Sequence, residues 1–266
     1  MRSVLALLRA SALTAASYRV ATLLSLVGLL ASVVPIYFIS DAVGAIAAES
    51  IRAEGGNYFG FVVLGIALTY IVASATAALP AALSGSIGNG TLESLLLTRA
   101  SLAEILIGLA AFPLVQSLLR SALLLLGAAL FGVDVHWLHL PAVTAIVLLM
   151  IVAYGAIGLG AGALVLMFRT SGPWVTAVVA ASGLLGGVYY ATSVIPGWLQ
   201  SLSSLVPLTY ALRASRRLLL ADAAVTDVLS DVGRLGALAA ALLLLFGTGF
   251  AFALRRAQRS GLLSQY

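Results

Sequence analysis

Two histidines and an aspartate lie close together in the middle of the sequence. Asp134, His136 and His139 supply carboxylate and imidazole groups, and the i, i+3 spacing of the histidines could turn both rings toward one metal ion. Trp137 stands between them, at the start of an apolar stretch long enough to cross a membrane. Trp and His at such a boundary commonly contact lipid headgroups. We favour this anchoring role and expect no bound metal.

A single charge, Arg120, lies deep within another long apolar stretch. Gln116, Ser117 and Ser121 are its neighbours at helical spacing and give that stretch one polar face. An arginine inside a membrane is costly and tends to face protein or a water-filled cavity. Arg120 is therefore a residue that lines a cavity and meets an anionic ligand, a structural partner of a backbone carbonyl, or a charge that extends to the membrane surface.

The residue types exclude most other chemistry. All 14 basic residues are Arg, so the chain has no phosphate-loop lysine and no Schiff-base lysine. Cys is absent, which excludes disulfides, thiolate metal sites and a Cys nucleophile. HExxH and GxSxG motifs are absent as well. We expect no catalytic residues and no cofactor bound by this chain.

The composition sets the class of protein. Of the 266 residues, 62% are hydrophobic and only 9% are charged, and the mean hydropathy is +1.14. Soluble domains carry about 25% charged residues. Despite a pI near 9.9, these values exclude a soluble enzyme, a disordered protein and a nucleic-acid-binding domain. The sequence predicts an all-α integral membrane protein.

Six membrane spans are predicted from the uncharged runs. Spans 1 to 5 are placed at residues 20–39, 58–83, 104–131, 141–168 and 173–195, and span 6 lies between Arg234 and Arg255. The apolar stretch 198–212 is too short to cross and contains Pro207, so it predicts a re-entrant or interfacial segment. The resulting single domain, 1–266, divides into an interfacial helix (1–19), spans 1 to 5 (20–195), an outer re-entrant segment (196–231), span 6 (232–254) and a tail (255–266).

The distribution of Arg predicts the orientation. Residues 1–19 have apolar residues at helical spacing opposite Arg2 and Arg9, which is typical of an amphipathic helix on the membrane surface. With the N-terminus in the cytoplasm, the inner side holds eight arginines against two acidic residues, and the outer side five against seven. We therefore expect a multi-pass plasma (inner) membrane protein with both termini cytoplasmic.

Small residues and outer arginines suggest two further surfaces. Gly158 with Gly162, and Gly183 with Gly187, have the spacing of close helix contacts, for which packing within the subunit is favoured over a dimer face. Arg213, Arg216 and Arg217 are predicted to form an outer basic patch. Contact with anionic lipid headgroups is favoured there over binding of another anionic ligand.

The connection between spans 2 and 3 predicts a short helix between two hinges. A Gly/Ser/Asn-rich run precedes an amphipathic segment, and Ser101 with Glu104 has the spacing of a capping box that starts span 3. Such a helix on the cytoplasmic face could dock into a soluble partner, or it could be an ordinary interfacial loop.

This connection resembles the coupling-helix region of ABC-2 type permeases, the membrane subunits of ABC exporters. The resembling residues are Gly90, Thr91, Leu92, Glu93, Ser94, Leu95 and Leu96. The stretches 187–200 and 206–216 are similar to the outer segment of the same family. The six spans, the N-terminal surface helix and the cytoplasmic termini also match.

The resemblance implies a transport mechanism. Residues Gly90 to Leu96 couple the chain to a separate ABC ATPase subunit, which binds ATP and Mg²⁺. The substrate path lies between this chain and a second copy or a paralogue, with Gln116, Arg120, Tyr189 and Tyr190 as candidate lining residues. The apolar lining suits an amphipathic or lipid-linked cargo: a drug, a natural product or a lipid-linked glycan. An intramembrane lipid-modifying enzyme, a non-catalytic membrane scaffold and a secondary transporter are the alternatives.

Overall fold

The computed structural model describes residues 19–89, 102–168, 170 and 172–259. These residues form eight α-helices, joined by turns that include short 3-10 segments. The helices are α1 (Arg19–Ala47), α2 (Tyr58–Gly88), α3 (Leu102–Leu130), α4 (Leu140–Phe168), α5 (Gly172–Leu185), α6 (Gly197–Ser203), α7 (Pro207–Leu219) and α8 (Leu229–Arg259).

Five helices of this part of the chain are long and apolar enough to cross a membrane. They are α1, α2, α3, α4 and α8, and they confirm five of the six predicted spans as helices. Several predicted spans stop too early, since α1 continues past Asp41 to Ala47 and α2 continues past residue 83 to Gly88. The apolar run of α1 is interrupted by Asp41 and that of α2 by a Ser/Gly run from Ser84, but the backbone hydrogen bonds of both helices continue through these residues.

The prediction of a fifth span over residues 173–195 is wrong in its length. The helix α5 has only 14 residues, a length of about 21 Å against a hydrocarbon core of about 30 Å. It ends because Gly187 takes the left-handed conformation, with φ +77°, which favours glycine and reverses the chain. Gly187 therefore lies in a turn, and its predicted helix contact with Gly183 is also wrong.

The apolar stretch 198–212 forms two helices, not one segment. Pro196 precedes α6, and the Gln200 side chain donates to the carbonyls of Ser193 and Ile195. Pro207 begins α7, where a missing N–H costs nothing. We call α6 and α7 the helix pair. Its re-entrant position in a membrane stays a prediction.

The core of the molecule is built around α2 and α4. The helix α2 packs against α1, α3, α4, α5 and α7, and α4 packs against α8. Tyr154 of α4 is fully buried, and its hydroxyl donates to Ser182 of α5 at 2.9 Å. The largest group of buried side chains joins α2, α4 and α7. The helix pair is thus part of the core.

Glycine allows α4 to approach its neighbours closely. A Cβ at Gly158 would lie 2.9 Å from the carbonyl oxygen of Ala75 and 3.0 Å from that of Thr76, both on α2. A Cβ at Gly162 would lie 3.2 Å from side-chain atoms of Leu83 and Phe250. These contacts confirm packing within the subunit as a role of the Gly158–Gly162 pair.

The bundle has two distinct ends. The helix pair, the turn Arg52–Glu54 and the turn Trp137–His139 lie at one of them, where the His136 amide donates to the Leu219 carbonyl at 2.9 Å. We call this the hairpin end. At the opposite end α2 finishes at Gly88, α3 starts at Leu102, and α2, α4 and α8 share a small cluster of buried apolar residues.

Several predicted features fall outside the described residues. They are the surface helix over residues 1–19, apart from Arg19 in α1, and the coupling segment from Gly90 to Leu96. Ser101 of the predicted capping box is outside as well, while Glu104 occupies the first turn of α3.

Replacing Gly158 should test the close packing of α2 and α4. Gly158→Ala should lower the free energy of unfolding by about 1–3 kcal/mol because the added methyl meets two backbone carbonyls. The measurement is the unfolding midpoint of the purified chain in mixed micelles titrated with SDS. Gly155→Ala is the control on the same helix, since nothing lies within 4 Å of its Cβ position. Equal midpoints for the two variants would contradict the packing role.

Candidate functional site

A buried arginine connects the helix pair to the rest of the molecule. Arg216, near the end of α7, has only 2% of its surface exposed. Its guanidinium donates to the Phe61 carbonyl from Nε at 3.2 Å and from Nη2 at 3.0 Å. It also donates to the carbonyls of Gly187 and Val188, each at 3.0 Å. We call this set of contacts the Arg216 network.

The charge of Arg216 is balanced inside the network. Glu54 accepts a hydrogen bond from Nη1 at 3.2 Å, and the ring of Phe61 lies 3.3 Å from the guanidinium carbon. Burial lowers the pKa of Arg216 to about 10, and the attraction of Glu54 limits the drop. The guanidinium is therefore protonated at neutral pH. It holds the turn that contains Glu54 and the turn after α5 against α2.

The sequence-based prediction for this residue is wrong. Arg216 was expected in an outer basic patch with Arg213 and Arg217, yet it lies inside the protein. Arg213 is half-buried and bonds to Asp231 at 3.4 Å and to Thr192 at 3.3 Å. The three arginines do not form one surface. The sequence contained one indication of these ion pairs: Glu54 and Asp231 are predicted on the same outer side of the membrane as the three arginines.

The residues predicted to line a substrate path lie in two places. Gln116 and Arg120 are half-buried on α3, one helical turn apart. Their neighbour Ser121 is buried and donates to the Ala67 carbonyl of α2 at 2.6 Å. The polar face of α3 therefore lies at the depth of Ala67.

Tyr189 and Tyr190 lie nearer the hairpin end, in the turn after α5. The Tyr189 carbonyl accepts a hydrogen bond from the Tyr58 hydroxyl at 3.1 Å, and the Tyr190 hydroxyl donates to the Leu184 carbonyl. The carbonyl of the adjacent Val188 lies beside Gly65 of α2, two residues from Ala67. These contacts do not separate the two tyrosines from the Gln116–Arg120 pair, and a common path stays a prediction.

A comparison with protein families decides the class of this molecule. The family described as ABC-2 type transporter matches residues 1–220. The chain belongs to the ABC-2 type transporter family. No curated protein matches the sequence.

Family membership makes this chain the permease component of an ABC transporter. Such components are generally non-catalytic, and the family implies association with an ABC ATPase subunit. The apolar helices described above agree with a multi-pass membrane protein. The intramembrane lipid-modifying enzyme is therefore not the favoured class.

The histidine pair of this permease has a partner that was not predicted. His139 lies 3.0 Å from Asp222, and His136 lies 3.9 Å from the same carboxylate. Asp222 follows α7 in a left-handed conformation, with φ 49°. In the described part of the chain, no three ligating side chains are grouped to hold a metal ion. The contacts join the turn before α4 to the end of the helix pair.

Replacing Arg216 and Arg217 in turn should distinguish the contribution of a fully buried charge from that of a half-buried one. Arg216→Met should lower the free energy of unfolding by about 3–5 kcal/mol because Glu54 and three carbonyls lose their partner. Arg217→Met is the control, since within the described residues Arg217 donates to the exposed Asp227 carbonyl alone, and its replacement should lower the free energy of unfolding by about 1 kcal/mol or less.

The same SDS titration measures both Arg variants. The double variant Arg216→Met, Glu54→Gln should lose less free energy of unfolding than the two single variants lose together, because the two groups interact directly. Similar unfolding midpoints for the Arg216 and Arg217 variants would contradict the structural role of the network.

Proposed function

We propose that this permease is the membrane subunit of an ATP-driven exporter. Its cargo is an amphipathic or lipid-linked compound, such as a drug, a natural product or a lipid-linked glycan. The cargo leaves the cytoplasm or the inner leaflet. The observation that carries the proposal is the family match over residues 1–220 on a chain whose described long helices are almost wholly apolar.

The apolar character of the helix surfaces supports an amphipathic cargo. Large apolar side chains are exposed on α1, α3 and α8, including Phe38, Leu119 and Leu244. Some of this surface contacts lipid and some faces a second permease copy or a paralogue, with the substrate path between them. Gln116 and Arg120 are the polar lining residues proposed on α3, and Tyr189 and Tyr190 those near the hairpin end.

The proposed ATPase contact is at the end opposite the helix pair. The helix α2 leaves the bundle there at Gly88 and α3 returns at Leu102, so the coupling residues Gly90 to Leu96 connect two core helices. A partner that binds ATP and Mg²⁺ and moves this connection can displace α2 and α3 together. Such coupling requires a different interaction energy in each ATPase state.

The proposed orientation places the hairpin end outside and both termini in the cytoplasm. The chain has no native Cys, so a single introduced Cys reports its own side. Ala221→Cys, exposed at the hairpin end, should react with an impermeant maleimide added to intact cells. Thr170→Cys, exposed between α4 and α5, and Ser94→Cys should react only after permeabilisation. External labelling of Ser94→Cys would overturn the orientation.

A proline in the coupling segment should uncouple transport from ATP hydrolysis. Ser94→Pro should disrupt a helix at this position by about 3 kcal/mol through a lost hydrogen bond and a steric clash. We expect less co-purified ATPase or a loss of cargo-stimulated hydrolysis, with unchanged membrane insertion. Ser94→Ala is the matched control, since it removes the hydroxyl but keeps the backbone. Wild-type transport by Ser94→Pro would reject the coupling role of Gly90 to Leu96.

A further inference from the structure

A polar cavity of about 250 Å³ lies at the hairpin end, between the helix pair and the start of α8. Each of its lining side chains carries a hydroxyl, amide or guanidinium group. They include Arg213, Arg234, Thr192, Ser203, Thr209 and Tyr210. No carboxylate is among the lining side chains. A cavity of this size is below that of typical drug sites and suits a headgroup-sized ligand.

Hydrogen bonds hold the walls of the cavity in place. The hydroxyls of Ser203 and Thr209 are 3.2 Å apart, and the Thr209 hydroxyl donates to the Ser203 carbonyl at 2.9 Å. The Tyr210 hydroxyl donates to the Ser204 carbonyl at 2.9 Å. These bonds join the end of α6 to the start of α7. The cavity is therefore formed before a ligand enters, which reduces the entropic cost of binding.

The two arginines make the lining positive. Arg213 bonds to Asp231 and Thr192 from its two Nη atoms, and a guanidinium has five N–H donors, so further donors are available. Arg234 lies 6.0 Å from the Tyr210 ring centroid. Within the described residues, no carboxylate lies within ion-pair distance of Arg234. Among the described residues, Arg234 thus has no acidic side chain as an ion-pair partner.

We propose that this cavity binds the phosphate of an anionic headgroup. Guanidinium groups match phosphate oxygens in geometry and charge, and the surrounding hydroxyls can donate to the remaining oxygens. Arg234 is exposed to solvent, so a neutral sugar would only exchange hydrogen bonds with water there, whereas an anion would also gain an ion pair. The proposal does not depend on transport, because a chain that moved no cargo would still bind the headgroup.

The test uses the purified full chain in dodecyl maltoside at constant ionic strength. Dihexanoyl phosphatidylglycerol, dihexanoyl phosphatidylcholine and inorganic phosphate are titrated separately, and the rise in melting temperature gives an apparent Kd. We expect phosphatidylglycerol to stabilise the chain more than phosphatidylcholine does. Arg234→Gln should weaken this binding about tenfold, and Arg234→Lys should retain most of it because the charge remains.

Arg52→Gln is the matched control. Arg52 is exposed at the same end but does not line the cavity, so its loss changes the net charge equally and should leave binding unchanged. If inorganic phosphate raises the melting temperature as phosphatidylglycerol does, the free anion suffices. If phosphatidylglycerol alone raises it, a lipid-linked headgroup is required. Both support the proposal. Equal responses to the two lipids, no response to either anion, or equal losses in the Arg52 and Arg234 variants would overturn it.

Discussion

The position of the helix pair depends on the buried guanidinium of Arg216. Placing a charge in an apolar interior is costly, and the structure offsets that cost with Glu54, the Phe61 ring and three backbone carbonyls. Two of these carbonyls, those of Gly187 and Val188, belong to a turn and have no helical partner. Arg216 satisfies them where water is excluded. One side chain thus joins α7 to the first turn of α2 and to the turn after α5.

Glycine makes the close approach around this network possible. A Cβ at Gly65 would lie 2.7 Å from the Val188 carbonyl and 3.0 Å from Nη2 of Arg216. With hydrogen alone at this position, the turn after α5 can lie against α2. The position of the helix pair therefore depends on the turn at Gly187, which in turn requires α5 to end at Leu185. The cavity lined by Arg213 and Arg234 exists because α6 and α7 are held in this position.

The two ends of the bundle carry different chemistry. The hairpin end has the buried Arg216 network, the contacts of Asp222 with His136 and His139, and the polar cavity. The opposite end has the α2–α3 connection, to which we assign the ATPase contact. Between them, α2 and α4 pack closely through Gly158 and Gly162. Close-packed interiors are stiff, so in the proposed mechanism a displacement at one end is carried along these helices to the other.

Most of the helical fold could be predicted from hydropathy and charge alone. An apolar stretch of about 20 residues must form a helix in lipid because its backbone groups have no other partners, and this holds for α1, α2, α3, α4 and α8. Local apolar composition also explains why the predicted fifth span was extended over residues 186–195, beyond the end of α5. Those residues are apolar enough for a span, but Gly187 reverses the chain.

Composition and residue spacing were enough to predict the class of the protein, the five long helices and a close helix contact at Gly158, because each depends on residues that are near in the chain. The partners of the charged side chains follow only from the packed fold. Arg216 bonds to Phe61 and Glu54, which lie 155 and 162 residues away in the sequence. No local pattern predicts a contact at that separation. Whether an arginine is exposed or buried depends on which carbonyls and carboxylates the fold brings to it. The polar cavity beside Arg234 has the same origin, because its walls come from segments that only the packed helix pair brings together.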